Sequence, residues 1–583
     1  MPKGLVSGFI ALALTCAQAL NAAPTAPPEP LQVRIWNTES KQFFPERDDA
    51  DLRVPWLDDS RPLGIAFSGG GTRAGAAALG QLRALRMLGW MRNAGYVSAV
   101  SGGSWTAVPY IYLQGGEREE EVFLGDYYCP EDLHEKELNL QPEGSMTQAI
   151  NHARVALKSI GHMLLLQGDE SYSEGLNDIF LKPFGLGDRS KFFSSHQKAV
   201  DSALAANPLL RADDFLLPRK DRPYLIVGAT LIAKPGPRKR YEQFPVEITP
   251  LYTGIQGRFP GRNGKYVGGG FVESFGYDSR LDLIQPPASV DRTMATVSLG
   301  SGRHRFTLSD AIGSSGAAPQ GFLNRLFLDM IGFPEFRSWP IRRDAQELEY
   351  AYGDGGHIDN IGLLPLLSRR VPKIIVFINS TATFDPNKDP LKEYPMYGDL
   401  IHYFRDPAPG GPPATEADER TAGDFTKIRP SKDPSKVVIV DGEKRLQELF
   451  KEFKAKREKD LPLWSCDNYK IKGNPWFGVT PYDASICWVY LDGTQGWLKR
   501  LDKKDKLLQK VTKEPFPRYG TFFHARIEVI RLTPAETNAL SNFTAWSVLE
   551  ASDDMRKVLG LPEAPPGSLP RQCRSDTAGT EGK

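Results

Sequence analysis

Leu63-Gly64-Ile65-Ala66-Phe67-Ser68-Gly69-Gly70-Gly71-Thr72-Arg73-Ala74 and Tyr96-Val97-Ser98-Ala99-Val100-Ser101-Gly102-Gly103-Ser104-Trp105 share one pattern. In each, an apolar run of strand type meets a glycine-serine turn and passes into a helical pattern. After the first turn, Leu79, Leu82, Leu85 and Leu88 recur at helical spacing over Ala74–Leu88, with no proline in the run. Strand, turn and helix in succession read as an α/β fold. The special residues of both turns then lie at the carboxyl edge of one sheet, where open α/β folds bind ligands.

Further strand-like runs stand at Pro223–Thr230 and Lys373–Ile378, and a third acidic turn, Asp354-Gly355-Gly356-His357, precedes the second of them. A short helical pattern covers Ile361–Arg370. Val437–Val440 reads as a buried strand, Ala525–Val529 as a half-buried one, and Pro407–Pro413 as a loop. Thr533-Pro534-Ala535-Glu536 is a capping box that opens a late helix. Lys444–Lys456 is amphipathic, with Leu446, Leu449, Phe450 and Phe453 on one face; docking on the core is the favoured reading and a membrane surface the alternative. Thr147–Leu166 is a further helical pattern within a mixed, charged region.

The chain has 583 residues, more than one average domain, although a single enlarged α/β domain with insertions accommodates them. The expected organisation is an α/β core over residues 31–380 with a cap-like insertion at about 115–222. An extension over 381–560 packs on it, and 561–583 form a disordered tail. Lys and Arg number 72 against 71 Asp and Glu, so no global field draws nucleic acid. Residues 1–22 read as an export signal. Lys3 supplies the positive start, Leu5–Leu14 the apolar stretch, and Ala17-Gln18-Ala19 or Leu20-Asn21-Ala22 the cleavage site. The apolar stretch is shorter than the roughly 20 residues of a spanning helix. The expected location is therefore secreted or periplasmic. Cleavage leaves Cys129, Cys466, Cys487 and Cys573, whose three possible pairings the sequence does not decide; Cys466 and Cys487 are closest. Their spacing fits no zinc ribbon, and no metal site is expected.

Ser101 ends a strand between small residues, Ala99 and Gly103, as in a nucleophile elbow, where a sharp turn exposes the hydroxyl. Ser98 and Ser104 are poorer nucleophiles, one inside the strand and one in the first helical turn. Gly69, Gly70 and Gly71 let backbone N–H groups face outward at a helix N-terminus, which suits the oxyanion of acyl transfer. Arg73 adds a positive charge that suits a phosphate or the oxyanion. A dinucleotide reading of Gly69–Ala74 lacks the acidic residue expected after the next strand. None of the 8 histidines follows the elbow in a catalytic context, and Asp354, on its glycine turn, is free to approach Ser101 directly.

In this order, SGGGTRA at Ser68–Ala74, VSGGSW at Val100–Trp105 and DGG at Asp354–Gly356 resemble the patatin-like acyl hydrolases. Within these the likeness is to the branch of cytosolic phospholipase A2 and fungal phospholipase B. The run His357-Ile358-Asp359-Asn360-Ile361-Gly362-Leu363 and the strand Ile374–Ile378 extend the resemblance, which covers Leu63–Ser380. It implies a three-layer α/β/α patatin-like core with a central mixed sheet, and a Ser-Asp dyad. Ser101 would be the nucleophile, Asp354 the base, Gly70 and Gly71 the oxyanion hole, and Arg73 the partner of a substrate phosphate. No cofactor or metal is implied. The implied substrates are phospholipids or lysophospholipids met in transient contact with a membrane surface. An acyl chain of about 14 methylenes offers on the order of 11 kcal/mol of transfer energy, so an apolar channel is expected near Ser101. Gly313–Gly316 and the cap are candidates to border it. Pro109 departs from the pattern and predicts a kink or a late start in the helix after the elbow. Two other readings stand beside this one: an esterase with a Ser-His-Asp triad, and a non-catalytic lipid-binding protein on the same fold.

Overall fold

The computed structural model describes residues 30–570 except 40–41, 58–59, 153–170, 234–241, 261–265, 287–290, 300–303, 318–333, 343–346, 407–434 and 521–531. The expected export signal, the loop at Pro407–Pro413, the strand at Ala525–Val529 and most of the helix at Thr147–Leu166 lie outside the described residues.

Seven strands of one large sheet frame the site: β1 (Leu63–Phe67), β2 (Ala94–Val100), β3 (Tyr224–Ala233), β4 (Leu348–Asp354), β5 (Lys373–Ile378), β6 (Leu463–Ile471) and β7 (Tyr482–Tyr490). Six of them run in the order β3-β2-β1-β5-β7-β6, parallel up to β7 and antiparallel between β7 and β6, and β4 pairs antiparallel with β3 off this path. Across β3 the sheet continues as antiparallel strands that begin with Glu242–Ile248 and include the N-terminal strand Leu31–Asn37. Parallel neighbours need long crossovers, and the helices supply them.

Five helices matter here: α1 (Gly71–Met87), α2 (Gly102–Tyr112), α3 (Leu308–Gly316), α4 (Gly442–Glu458) and α5 (Pro534–Leu559). The parallel strands are apolar throughout because both faces are covered. Ile65, Phe67, Val97, Ala99, Ile375 and Phe377 pack with Leu79, Leu82, Val108, Ile111 and Phe543 of α1, α2 and α5. The alternate residues Ala66, Tyr96, Ile374, Val376 and Ile378 pack with Leu446, Leu449 and Phe453 of α4 and with Leu366 and Leu400. Period-two alternation thus builds two cores on one sheet. This is the three-layer α/β/α architecture with a mixed sheet.

Strands and helices from beyond residue 380 are integral to those layers. β7 pairs with β5 over Lys373–Ile378, and Cys466 and Cys487, directly opposite on β6 and β7, form a disulfide. Cys129 is also disulfide-bonded. α5 opens on the expected capping box, with Thr533 and Glu536 each bonding the other's backbone N–H. It lies so close to α1 that a Cβ on Gly80 would stand 1.9 Å from the Ser541 carbonyl oxygen. Thr544 Oγ1 donates to the Ala77 carbonyl at 3.0 Å. The apolar face of α4 docks on the core, and its three buried side chains contribute about 1.5–3 kcal/mol each. Trp90 Nε1 donates to the Pro562 carbonyl, which ties the start of the expected tail to the core.

Three local expectations are corrected. α2 starts at Gly102 and carries Pro109 inside it rather than starting late, although the proline removes the N–H that would bond the Trp105 carbonyl. Val437–Ile439 is buried, with a single bridge from Ile439 to Ile471 in place of a ladder. The helical pattern at Ile361–Arg370 narrows to Leu364–Ser368. Among the described residues no helix is long and apolar enough to cross a membrane, and no His, Cys, Asp and Glu cluster could hold a metal ion.

Candidate active site

β3 organises the site through its register. Its first half pairs with β2, which ends with Val100 opposite Gly228; its second half pairs with β4, which ends with Asp354 opposite Ala229. The other edge of β3 is occupied by Glu242–Ile248 over residues 227–233. β2 and β4 therefore share one edge and run toward each other, parallel and antiparallel to β3, until their carboxyl ends meet. Ser101 follows one end and Asp354 is the other.

Ser101 has φ 49° and ψ −128°, a conformation rare for a residue with a side chain. Strain of this kind costs about 1–3 kcal/mol and persists only where the surroundings over-determine it. Here they do. The Ser101 N–H donates to Ser315 Oγ at 2.8 Å, and its carbonyl accepts from the Ser104 N–H and hydroxyl at 2.9 and 2.7 Å. Close approach explains the small flanking residues. A Cβ on Gly102 would stand 1.9 Å from the Gly71 carbonyl oxygen, and one on Gly103 2.7 Å from the carbonyls of Phe67 and Ser68. The two sequence motifs are thus packed backbone to backbone.

The glycine turn lies beside Ser101. A Cβ on Gly69 would be 3.0 Å from Ser101 Cβ. Gly70 and Gly71 have φ of 139° and 60°, values that favour glycine. They open α1, whose N-terminal dipole favours negative charge. Among the described residues no acceptor is paired with the N–H of Gly70 or Gly71. The turn is held by Ser68 N–H to the Phe377 carbonyl and Gly69 N–H to the Asn360 carbonyl, at 3.1 and 2.8 Å.

Asp354 is buried; its carboxylate accepts from the Gly356 N–H at 2.7 Å, and the Ser101 side chain is close enough to favour its charged form. Burial raises its pKa to about 7, against the opposing pull of those two groups. Its carbonyl accepts from Thr230 Oγ1 at 2.8 Å. A Cβ on Gly355 would stand 2.3 Å from the Gly228 carbonyl oxygen, so only glycine lets the turn close on β3. Among the described residues no histidine is a partner of the Asp354 carboxylate; the His357 ring lies against Gly353, its Cδ2 3.1 Å from a Cβ placed there. The neighbouring Asp359 accepts from the N–H groups of Gly362 and Leu364 and from the Tyr403 hydroxyl, which fixes the loop rather than the chemistry.

Arg73 lies beneath the glycine turn and is 3% exposed. Its Nε and one terminal nitrogen donate to the carbonyls of Asn379 and Tyr519 at 3.0 and 2.7 Å. A cavity of about 360 Å³ touches Val100, Gly228 and Gly355, but neither the Ser101 nor the Asp354 side chain lines it. Sequence reasoning missed the anchoring role of Ser315 and the bridging role of Asn360, whose Oδ1 sits between Gly69 and Gly356. Gly313–Gly316 had drawn notice only as a channel border, and Asn360 stood unremarked inside the quoted run after Asp354.

No protein-family model matches the chain, and no curated protein sequence matches it. Among solved structures it is similar to human GIVD cytosolic phospholipase A2, with 13% identity and a TM-score of 0.39 over 86% of this chain and 60% of that one. The same human protein in complex with methyl gamma-linolenyl fluorophosphonate inhibitor and terbium chloride gives 14% identity and 0.35 over the same shares. VipD from Legionella pneumophila gives 14% and 0.17, over 59% of this chain and 52% of that one. The chain thus spans about 60% of the length of the human structures. At these scores the likeness carries no inference about activity, which rests on the geometry above.

Proposed function

We propose that this protein is a lipid acyl hydrolase that cleaves fatty-acyl esters of phospholipids or lysophospholipids with a Ser101–Asp354 dyad. The observation that carries the reading is a serine on a strained elbow placed beside a buried carboxylate, whose pKa burial raises to about 7 and the Ser101 side chain draws back down. A base poised near the working pH combines the right protonation state with the most driving force. Ser101 Oγ attacks the ester carbonyl as Asp354 takes its proton. The N–H groups of Gly70 and Gly71 receive the oxyanion, and one such donor is worth about 100 to 1000-fold in rate. Collapse releases the alcohol, which takes the proton from Asp354, and a water activated by the same carboxylate frees the fatty acid. None of these steps calls on a cofactor.

Arg73 is assigned to a substrate phosphate, which requires that the Asn379 and Tyr519 carbonyls yield part of the guanidinium. Export of the mature chain and transient contact with a membrane surface complete the proposal. The test is release of fatty acid by wild type, Ser101→Ala and Asp354→Asn: activity in the first alone supports the dyad, and activity retained by either variant refutes it.

A further inference from the structure

The carboxyl-terminal turn of α3 reaches both halves of the dyad at backbone level. Ser315 Oγ accepts from the Ser101 N–H at 2.8 Å and donates to the Gly228 carbonyl at 2.7 Å. The Ser315 carbonyl accepts from the Gly355 N–H at 3.4 Å, and the next residue but one, Ala317, accepts from the Asp354 N–H at 3.3 Å. Ser315 is fully buried, and Gly316 is locked beside it. The Tyr172 hydroxyl donates to the Gly316 carbonyl at 2.5 Å, and a Cβ on Gly316 would stand 2.8 Å from the Trp105 ring.

Gly228 is the β3 residue opposite Val100, at the junction where β2 and β4 meet. Ser315 therefore joins the strained Ser101 backbone to the strand that sets the register, and its own backbone holds the turn that follows Asp354. Its hydroxyl proton is committed to Gly228 and a lone pair to Ser101, so it is not a second nucleophile. The structure assigns Ser315 as a positioning residue: its hydroxyl holds Ser101 at positive φ and fixes the approach of the nucleophile to Asp354. This inference rests on the hydrolase reading above. Without the hydroxyl, the Ser101 N–H and the Gly228 carbonyl lose their shared partner and the elbow is free to relax. A misplacement of about 1 Å at a reacting group costs roughly 100-fold in rate.

The test is labelling by an alkyl fluorophosphonate. Ser101 Oγ bonds to phosphorus, the phosphorus–fluorine bond breaks with loss of fluoride, and the serine proton passes to Asp354. Wild type, Ser315→Ala and Ser314→Ala are compared for second-order labelling rate and melting temperature. Ser314 is the control: it is equally buried, but its Oγ donates to the Asp310 carbonyl within the helix. The expected result is labelling of wild type at Ser101, a fall of about 10 to 100-fold for Ser315→Ala, and an unchanged rate for Ser314→Ala. Hydrolysis should show the same loss in kcat with KM preserved. If Ser315→Ala does not fold, Ser315→Cys, with its weaker donor and acceptor, carries the same comparison. Equal rates for wild type and the Ser315 variant overturn the positioning role while leaving the hydrolase reading intact. Folded wild type that takes no label at Ser101 overturns both.

Discussion

Val100 and Asp354 end two strands that share one edge of a third, opposite the consecutive residues Gly228 and Ala229. The juxtaposition behind the proposed dyad follows from this head-to-head register: the residue after Val100 is Ser101, and Asp354 faces it across the junction. A one-residue slip in either strand turns the side chain to the other face of the sheet, so the register decides function as well as packing.

The ionisation of Asp354 predicts the pH profile. Its pKa is raised to about 7, and only the carboxylate accepts the serine proton. kcat/KM should rise with pH, about tenfold per unit on the acid side, and level off above about 7. A pH-rate series on a neutral ester substrate checks this; a limb near the ordinary carboxylate value would show that another group is the base.

The same burial predicts a stability gain on removing the charge. The folded-state pKa lies above the unfolded value, so the contribution of Asp354 to stability is fully present below about pH 4 and is lost as pH rises to about 7. Asp354→Asn should therefore be more stable than wild type at pH 8, by at most about 4 kcal/mol, while losing activity. Melting curves at pH 8 and near pH 4 should show the difference shrinking toward the lower pH.

Gly102→Ala tests the contact between the two motifs. Its Cβ would meet the Gly71 carbonyl at 1.9 Å, a backbone atom with no rotamer to escape by. The expected outcome is destabilisation of about 1–3 kcal/mol and loss of most activity, read by denaturant titration and ester hydrolysis.

The two glycosylation sequons of the sequence, Asn379-Ser380-Thr381 and Asn542-Phe543-Thr544, should stay empty in a glycosylating host. Asn379 is fully buried and paired with Gln81, and Asn542, on α5, is 2% exposed and donates to the Asn538 carbonyl. Intact mass before and after glycosidase treatment should agree.

The local chemistry was legible in the sequence, because glycine runs and strand patterns are short-range signals. β1 and β5 and the capping box of α5 are read from adjacent residues, and so is the turn that places Ser101 between strand and helix. Long-range register was not legible. Nothing near Ser101 in the chain announces that Ser315 binds its N–H, or that β4 approaches β2 head-on, since those contacts are made by residues far apart in sequence. The helix at α4 shows the same limit from the other side: its amphipathic pattern fits a membrane surface or a core, and only the sheet beneath Leu446, Leu449 and Phe453 decides for the core. Arg73 carried a charge suited to phosphate, but its pairing with two backbone carbonyls depends on Asn379 and Tyr519, which the sequence places far away.

The most direct test of the central claim is fatty-acid release from a panel of phospholipids and lysophospholipids in the presence of EDTA, comparing wild type with Ser101→Ala. The account predicts release by wild type on at least one lipid class and none by the variant. Release that survives the substitution, or a folded wild type inactive on every lipid, would contradict it.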